Sequence, residues 1–300
     1  MAAGTLKVAT CQFAVSSSIK RNARQIQNYM MRAKKARAEI VHFSEGALSG
    51  CADFEFSSFD GFDWQLLQQE TAKIMSLAAK LGLWVVLGSA HRLTPDKNIR
   101  GQAGPNKPTI RVAGKPHNSL YLINPKGKIA DRYDKRFCMR DELRHYAPGD
   151  RFVKFTINGV RCSLLICFEV RFPELYRELY KRGVDCIFQS FYNARQKGPS
   201  VHTHIMRQSM QCRAATNYLW VSMTNSSRYY CPYPSCFIRP DGKIVQQLRA
   251  NRAGLMVNKV DLKKKFYDPM KDFREQAING KLNNASKTIK DARSRNTAVL

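Results

Sequence analysis

Acidic residues are scarce in this 300-residue chain: 23 Asp and Glu stand against 50 Lys and Arg, a formal charge of +27. A surplus of that size attracts polyanions whatever the fold does. The basic residues nevertheless recur in scattered segments, KRNARQ, RAKKARA, RELYKRG, DLKKKF and KTIKDARSR, with no aromatic-interleaved stripe on which bases would stack. That pattern describes a solvated basic surface and argues against a specific nucleic-acid partner. Long apolar runs are also missing, none approaching the roughly 20 residues of a membrane span, so no membrane association is expected. The opening MAAGTLKVATCQF has no basic segment followed by an apolar one and passes directly into strand-like alternation, which predicts a cytoplasmic protein. No CxxC pair occurs. The nine cysteines, at 11, 51, 138, 162, 167, 186, 212, 231 and 236, are odd in number and scattered. They argue against a disulfide framework and against a zinc site, and predict reduced thiols.

What is present is a well-stocked globular chain, 44% hydrophobic, read as one domain over 1–275 followed by a basic tail over 276–300. Strand-like segments are predicted at 6–13, 40–43, 84–89, 119–123, 129–133, 163–166, 184–190, 218–224, 235–238, 244–248 and 253–260. Helices are predicted at 19–37, 65–81, 173–182 and 203–217, and hairpin turns at Asn124-Pro-Lys-Gly127 and Arg239-Pro-Asp-Gly242. Residues 93–117, rich in Pro, Gly, Asn and Lys, read as a long interrupting loop. Strands alternating with helices in each half, with hairpins inserted, favour an α/β sandwich.

The most informative stretch is Leu164 to Leu175, LLICFEVRFPEL, where an apolar run ends at Cys167 and a Pro-started helix follows. A cysteine at the carboxyl end of a strand can present its thiol to a cleft; equally, a Cys after Leu-Leu-Ile can be a small buried hydrophobe. A nucleophilic thiol needs a base, an oxyanion donor and a water-restricted pocket. None of the six histidines sits in a setting that suggests a Cys–His pair. Glu45 closes the run Ile40-Val41-His42-Phe43 and so occupies the same kind of strand-end position as Cys167. Lys135 follows Asp131-Arg-Tyr-Asp134 at the end of a hairpin strand. Taken singly, Glu45 reads as a turn residue and Lys135 as one more lysine in a basic chain.

Together, FSEGALSG with Glu45, RYDKRF with Lys135 and CFEVRFPEL with Cys167 resemble the nitrilase superfamily of carbon-nitrogen hydrolases, from about residue 7 to about 274. VATCQF, His117-Asn118-Ser119, CRAATNYLWVSMTN and PSCFIRPDGKI add to the resemblance. DELRHYAPGD supplies the family's second glutamate as Glu142, with Asp141 adjacent. Three positions depart from the family pattern: Ser44 stands where Pro is common, and Phe168-Glu169 where Tyr-Asp is usual.

The resemblance implies a four-layer αββα sandwich, a homodimer or higher oligomer with the 173–182 helix and the C-terminal segment at its interface, and no cofactor. It implies a Glu45–Lys135–Cys167 triad assisted by Glu142, with the Lys135 ammonium and the Phe168 N–H as oxyanion donors. The substrate would be a small amide or N-carbamoyl compound cleaved through a cysteine thioester. The alternatives are a nitrilase, an acyl-transferring relative, or a catalytically silent homologue whose basic surface binds polyanions. Tyr192, Asn193 and Arg195, after a strand end in SFYNARQ, are expected to face the substrate.

Overall fold

Alternating apolar and polar residues over Thr5–Gln12 form β1, after which Ser18 starts α1 (Ile19–Lys35) by accepting the Arg21 N–H at 3.3 Å. This helix buries Ile19, Ala23, Ile26, Met30 and Ala33 along one stripe, the i, i+3, i+4 spacing of an amphipathic helix, and leaves its Lys and Arg residues in water. β2 (Ile40–His42) follows. α2 (Trp64–Leu81) is capped by Asp63, whose Oδ1 accepts the Leu66 N–H at 2.8 Å, and stops at Gly82, where φ is 62° and a side chain would be strained. β3 (Trp84–His91), β4 (His117–Ile123) and β5 (Ile129–Asp134) complete the first half.

The second half runs β6 (Lys154–Ile157), β7 (Val160–Ile166), α3 (Pro173–Lys181), β8 (Cys186–Ser190), α4 (Val201–Asn217) and β9 (Trp220–Thr224). β10 (Cys236–Ile238), β11 (Ile244–Gln247) and β12 (Gly254–Asp261) then close it. This computed structural model describes residues 4–93 and 114–284, with 293 and 298 besides. Most of the predicted 93–117 loop and most of the predicted 276–300 tail lie outside the described residues.

Two six-stranded sheets result, ordered β12-β1-β2-β3-β4-β5 and β11-β10-β9-β8-β7-β6. Each has a parallel centre, β1-β2-β3 or β7-β8-β9, flanked by antiparallel strands. Leu6, Val8, Ile40, Val86 and Leu120 of the first sheet share a core with Leu164, Phe188 and Val221 of the second. Ala9, Val41, Val85 and Leu87 instead pack with the apolar stripes of α1 and α2. Leu175, Leu179, Met206 and Met210 bring α3 and α4 onto the second sheet. The order of layers is helix, sheet, sheet, helix, the αββα sandwich that the resemblance implies.

A polar seam crosses the apolar inter-sheet core. His42 places Nδ1 2.9 Å from Ser222 Oγ and Nε2 2.9 Å from Ser190 Oγ, while Thr10 and Ser222 hydroxyls meet at 2.8 Å. Burial lowers the His42 pKa to about 3, so the ring is a neutral, hydrogen-bonded tie between the sheets.

Two segments differ from the sequence expectation. The strand leading to Cys167 starts at Val160, paired with β6 across Asn158-Gly159, whose φ values of 50° and 81° are those of a tight two-residue hairpin. β6 is an edge strand of only four residues, Lys-Phe-Thr-Ile, so its alternation is too short to mark a strand by itself. Tyr218 does not open β9: it caps α4 at φ 53°, in the left-handed conformation. The chain forms two compact units, Met1–Phe266 and Tyr267–Leu300. The second carries α5 (Arg274–Ile278) and an Arg274–Asp268 ion pair. No helix among the described residues is long and apolar enough to cross a membrane.

Gly88 in β3 lies directly beneath the turn that follows β2. A Cβ there would sit 2.0 Å from Ser44 O, 2.9 Å from Gly46 N and 3.0 Å from Glu45 Cα. Gly88→Ala is therefore expected to lower the unfolding free energy by about 1–3 kcal/mol, the usual cost of overpacking. Denaturant unfolding measures this, and a loss below about 0.5 kcal/mol would show that the turn yields freely.

Candidate active site

Three strand ends meet at one edge of the sandwich. Glu45 follows β2, Lys135 follows β5, and Cys167 opens a 3-10 turn (Cys167–Arg171) directly after β7. Cys167 has φ 45°, a conformation that L-residues adopt sparingly and that persists only where surrounding contacts enforce it. Glu169, fully buried, supplies such contacts. Its Oε2 accepts the Ile166 N–H at 2.6 Å, and its Oε1 accepts the Tyr133 hydroxyl at 2.7 Å and the Arg136 N–H at 2.7 Å. One carboxylate thus ties the nucleophile turn to the segment that carries Lys135, at the position where the family more often has Asp.

Lys135 is almost completely buried between two carboxylates. Its Nζ donates to Glu45 Oε1 at 2.9 Å and to Glu142 Oε1 at 2.5 Å. Glu45 also accepts the Asn118 Nδ2–H on Oε1 at 2.7 Å and the Tyr192 N–H on Oε2 at 2.8 Å. Glu142 accepts the Met139 N–H on Oε2 at 2.6 Å, whereas the adjacent Asp141 faces solvent and pairs with Arg144 at 3.1 Å.

Burial by itself would lower the Lys135 pKa, but Glu45, Cys167 and Glu142 outweigh it and hold the amine well above its ordinary value. Burial, reinforced by Glu45, pushes the Cys167 thiol well up, against the opposing pull of Lys135. Burial likewise raises Glu142 despite its contact with Lys135. The resting site therefore holds a charged lysine and a neutral thiol. A nucleophilic role for this thiol would require its proton to pass to an acceptor in the same cluster.

These groups open on a cavity of about 520 Å³. Glu45, Lys135, Glu142, Cys167, Phe168, Tyr192 and Asn193 all line it. Phe168 is the second residue of the 3-10 turn, so its N–H needs no partner within the turn. Its ring packs edge-on against Phe172 at 5.4 Å. Arg195 does not line the cavity: its guanidinium forms a fork on buried Glu55, Nε to Oε1 at 3.0 Å and Nη2 to Oε2 at 2.7 Å. The Tyr192 hydroxyl also bonds to Glu55, so a carboxylate in the aromatic loop after β2 anchors the residue whose N–H holds Glu45.

Sequence reasoning assigned no role to Glu55 or Asn118. Asn118 lay within a segment similar to the family, but nothing local marks Glu55 among the surrounding Phe and Ser residues. Among the described residues, no group of three or more His, Cys, Asp or Glu side chains is arranged to hold a metal ion.

A family model described as carbon-nitrogen hydrolase matches residues 7–264. The chain belongs to the carbon-nitrogen hydrolase family. An (R)-stereoselective amidase of Pseudomonas sp. is 36% identical over 112 residues, 37% of this chain and 39% of that protein. This match thus spans well under two thirds of that relative's length. The human omega-amidase is 22% identical over 277 residues, 87% of this chain and 90% of its own. A variant of the Nesterenkonia AN1 amidase from the nitrilase superfamily superposes with a TM-score of 0.69 at 18% identity, covering 92% of this chain and 95% of that one, a likeness of fold.

Two measurements probe this framework. Glu55→Gln breaks the Arg195 fork and should cost about 1–3 kcal/mol of stability; unchanged unfolding would mean that the anchor contributes nothing. Burial raises the Glu169 pKa from 4.5 to about 6, despite the donors around it. Between those values the folded chain holds more protons than the unfolded one, so the stability contributed here falls as pH rises through that window. The loss is about 2 kcal/mol. Unfolding at pH 4.5 and 6.5, compared between the parent and Glu169→Gln, should show the parent losing about 1.5 kcal/mol more, the part of that loss falling between those two pH values; parallel curves would contradict the shift.

Proposed function

We propose that this chain hydrolyses small amides or N-carbamoyl compounds through a Cys167 thioester, with Glu45 as general base and acid. The observation that carries the reading is the arrangement of Lys135 Nζ, 2.9 Å from Glu45 and 2.5 Å from Glu142, in the cavity that Cys167 also lines. Glu45 takes the thiol proton as sulfur bonds to the carbonyl carbon, and the carbonyl electron pair moves onto oxygen. The Lys135 ammonium and the Phe168 N–H stabilise that oxyanion, an effect worth a few kcal/mol per donor in comparable sites. The oxyanion collapses, the C–N bond breaks, and Glu45 returns the proton to the leaving nitrogen. Water then loses a proton to Glu45 as it attacks the thioester, and the departing thiolate recovers that proton.

Glu142 acts on Lys135 and orients the substrate N–H. Tyr192 contributes its N–H to the base, and Asn193 faces the substrate. Support comes from the names of the relatives, an (R)-stereoselective amidase and omega-amidases. A mutant of the Nesterenkonia amidase shows covalent addition of the acetamide moiety of fluoroacetamide at its active-site cysteine, which supports a nucleophilic sulfur. The proposal extends to a cytoplasmic homodimer built through α3 and the C-terminal segment, as the resemblance implies.

A panel of amides and N-carbamoyl compounds, with ammonia release and intact-mass detection of an acyl adduct, tests the reading. Cys167→Ala should abolish both adduct and turnover. Glu45→Gln should slow turnover by about 10²–10⁴-fold, the range for removing a general base. Retained turnover in Cys167→Ala would sink the assignment of the nucleophile.

A further inference from the structure

The shortage of acidic residues is sharpest in one stretch. Between residues 186 and 260 Asp241 is the sole Asp or Glu, against ten Lys and Arg, and it is already held by Arg239, whose Nε donates to Oδ1 at 2.9 Å. The other cations of this stretch have no acid of their own segment to pair with.

Three of them line a second concavity of about 520 Å³, which shares no residue with the catalytic cavity. Arg207 comes from α4, and Arg249 and Arg252 from the turn between β11 and β12; Pro232, Pro234 and Leu248 line it beside them. No carboxylate lines this concavity, and among the described residues none of the three arginines makes an ion pair.

Arg207 Nη1 donates to Gln247 Oε1 at 3.0 Å, but its Nε is buried and has no hydrogen-bond partner among the described residues. Buried donors are nearly always satisfied, so a donor that the protein's own groups leave open calls for an acceptor from outside. The turn that carries the other two arginines is held in place. Gln12 Nε2 donates to Arg249 O at 2.8 Å and to Arg252 O at 2.7 Å, and Asn251 Oδ1 accepts the Cys231 N–H at 2.5 Å. The backbone of the turn is thereby fixed while the Arg249 and Arg252 side chains stay exposed.

We propose that this concavity is an anion site, separate from the catalytic cavity, that binds a polyphosphate group through Arg207, Arg249 and Arg252. Each guanidinium is a planar fork that matches two phosphate oxygens. Three of them carry more charge than a carboxylate or a monophosphate neutralises, whereas a di- or triphosphate supplies both the charge and the oxygens. The group arrives either as an inorganic polyphosphate or on a nucleotide, whose base would rest on Pro232, Pro234 and Leu248. The site does not depend on the hydrolytic reading of Cys167.

Calorimetric titration of the full chain with tripolyphosphate and with ATP, without magnesium and at about 0.15 M salt so that diffuse surface charge is screened, tests the proposal. Binding should saturate at one equivalent per chain. Replacing both Arg249→Gln and Arg252→Gln should weaken it by about 10–100-fold, and Arg207→Gln by about 10-fold, as expected for losing charged hydrogen-bonding partners. Replacing both Arg21→Gln and Arg24→Gln, which removes two exposed charges from α1, should change it less than about twofold.

Tighter binding of ATP than of tripolyphosphate assigns the site to a nucleotide; equal or weaker binding assigns it to the inorganic anion. No saturable binding of either, or an equal loss in the α1 variant, would overturn the proposal and leave general surface charge as the explanation. Retention of duplex DNA by parent and variants alike, with no response to tripolyphosphate, would do the same. If Arg207→Gln does not fold, the variant at the exposed positions 249 and 252 decides.

Discussion

A single ammonium held out of water between two carboxylates governs this molecule. Lys135 has about 1% of its side chain exposed and sits within hydrogen-bonding distance of both Glu45 and Glu142. Removing such charges from water is expensive and is repaid only when geometry is good and the remaining lone pairs are filled. Here they are filled by the Asn118 amide and by the N–H groups of Tyr192 and Met139. With two acids against one lysine, the cluster carries excess negative charge, which combines with burial to keep the Cys167 thiol protonated. In the proposed reaction that excess favours a proton-accepting glutamate over a standing thiolate.

The fold around this cluster is arranged to bring strand ends into register. Glu45 and Cys167 emerge from parallel strands of different sheets, and the two sheets are fixed against each other by apolar side chains and by the His42–Ser190–Ser222 seam. Ser190 also donates to Phe43 O at 2.9 Å, which ties the end of β8 to the residue just beyond β2. Glu169 and Glu55 then act as struts, one joining the nucleophile turn to the lysine segment and the other fixing Tyr192 and Arg195. Both place a buried carboxylate among donors, so each trades a desolvation cost for a fixed backbone path.

Legibility in the sequence followed the strength of local patterning. α1 was plain from its apolar stripe, and Pro173 with Glu174 marked α3. Glu45 and Cys167 stood out because each follows a short apolar run at the end of a strand, whereas Lys135, after Asp131-Arg-Tyr-Asp134, was marked only by a motif similar to a known family. β6 was not legible, because an edge strand with Lys154 and Thr156 turned outward has no apolar run, although Asn158-Gly159 carried a hairpin signal. Arg195 illustrates the opposite failure. An arginine in a loop near a strand end suggests a substrate contact, yet its guanidinium bonds to Glu55, more than a hundred residues away in the chain.

By itself the sequence determined the alternation of strands and helices and singled out Glu45, Lys135 and Cys167 by their motifs, because periodicity and strand-end motifs are local properties written in consecutive residues. The tertiary structure alone decided which two carboxylates touch Lys135, what holds Glu45, and where Arg195 is anchored. Those are facts of distance and desolvation between segments far apart in the chain, and they exist only once the two sheets have closed on each other.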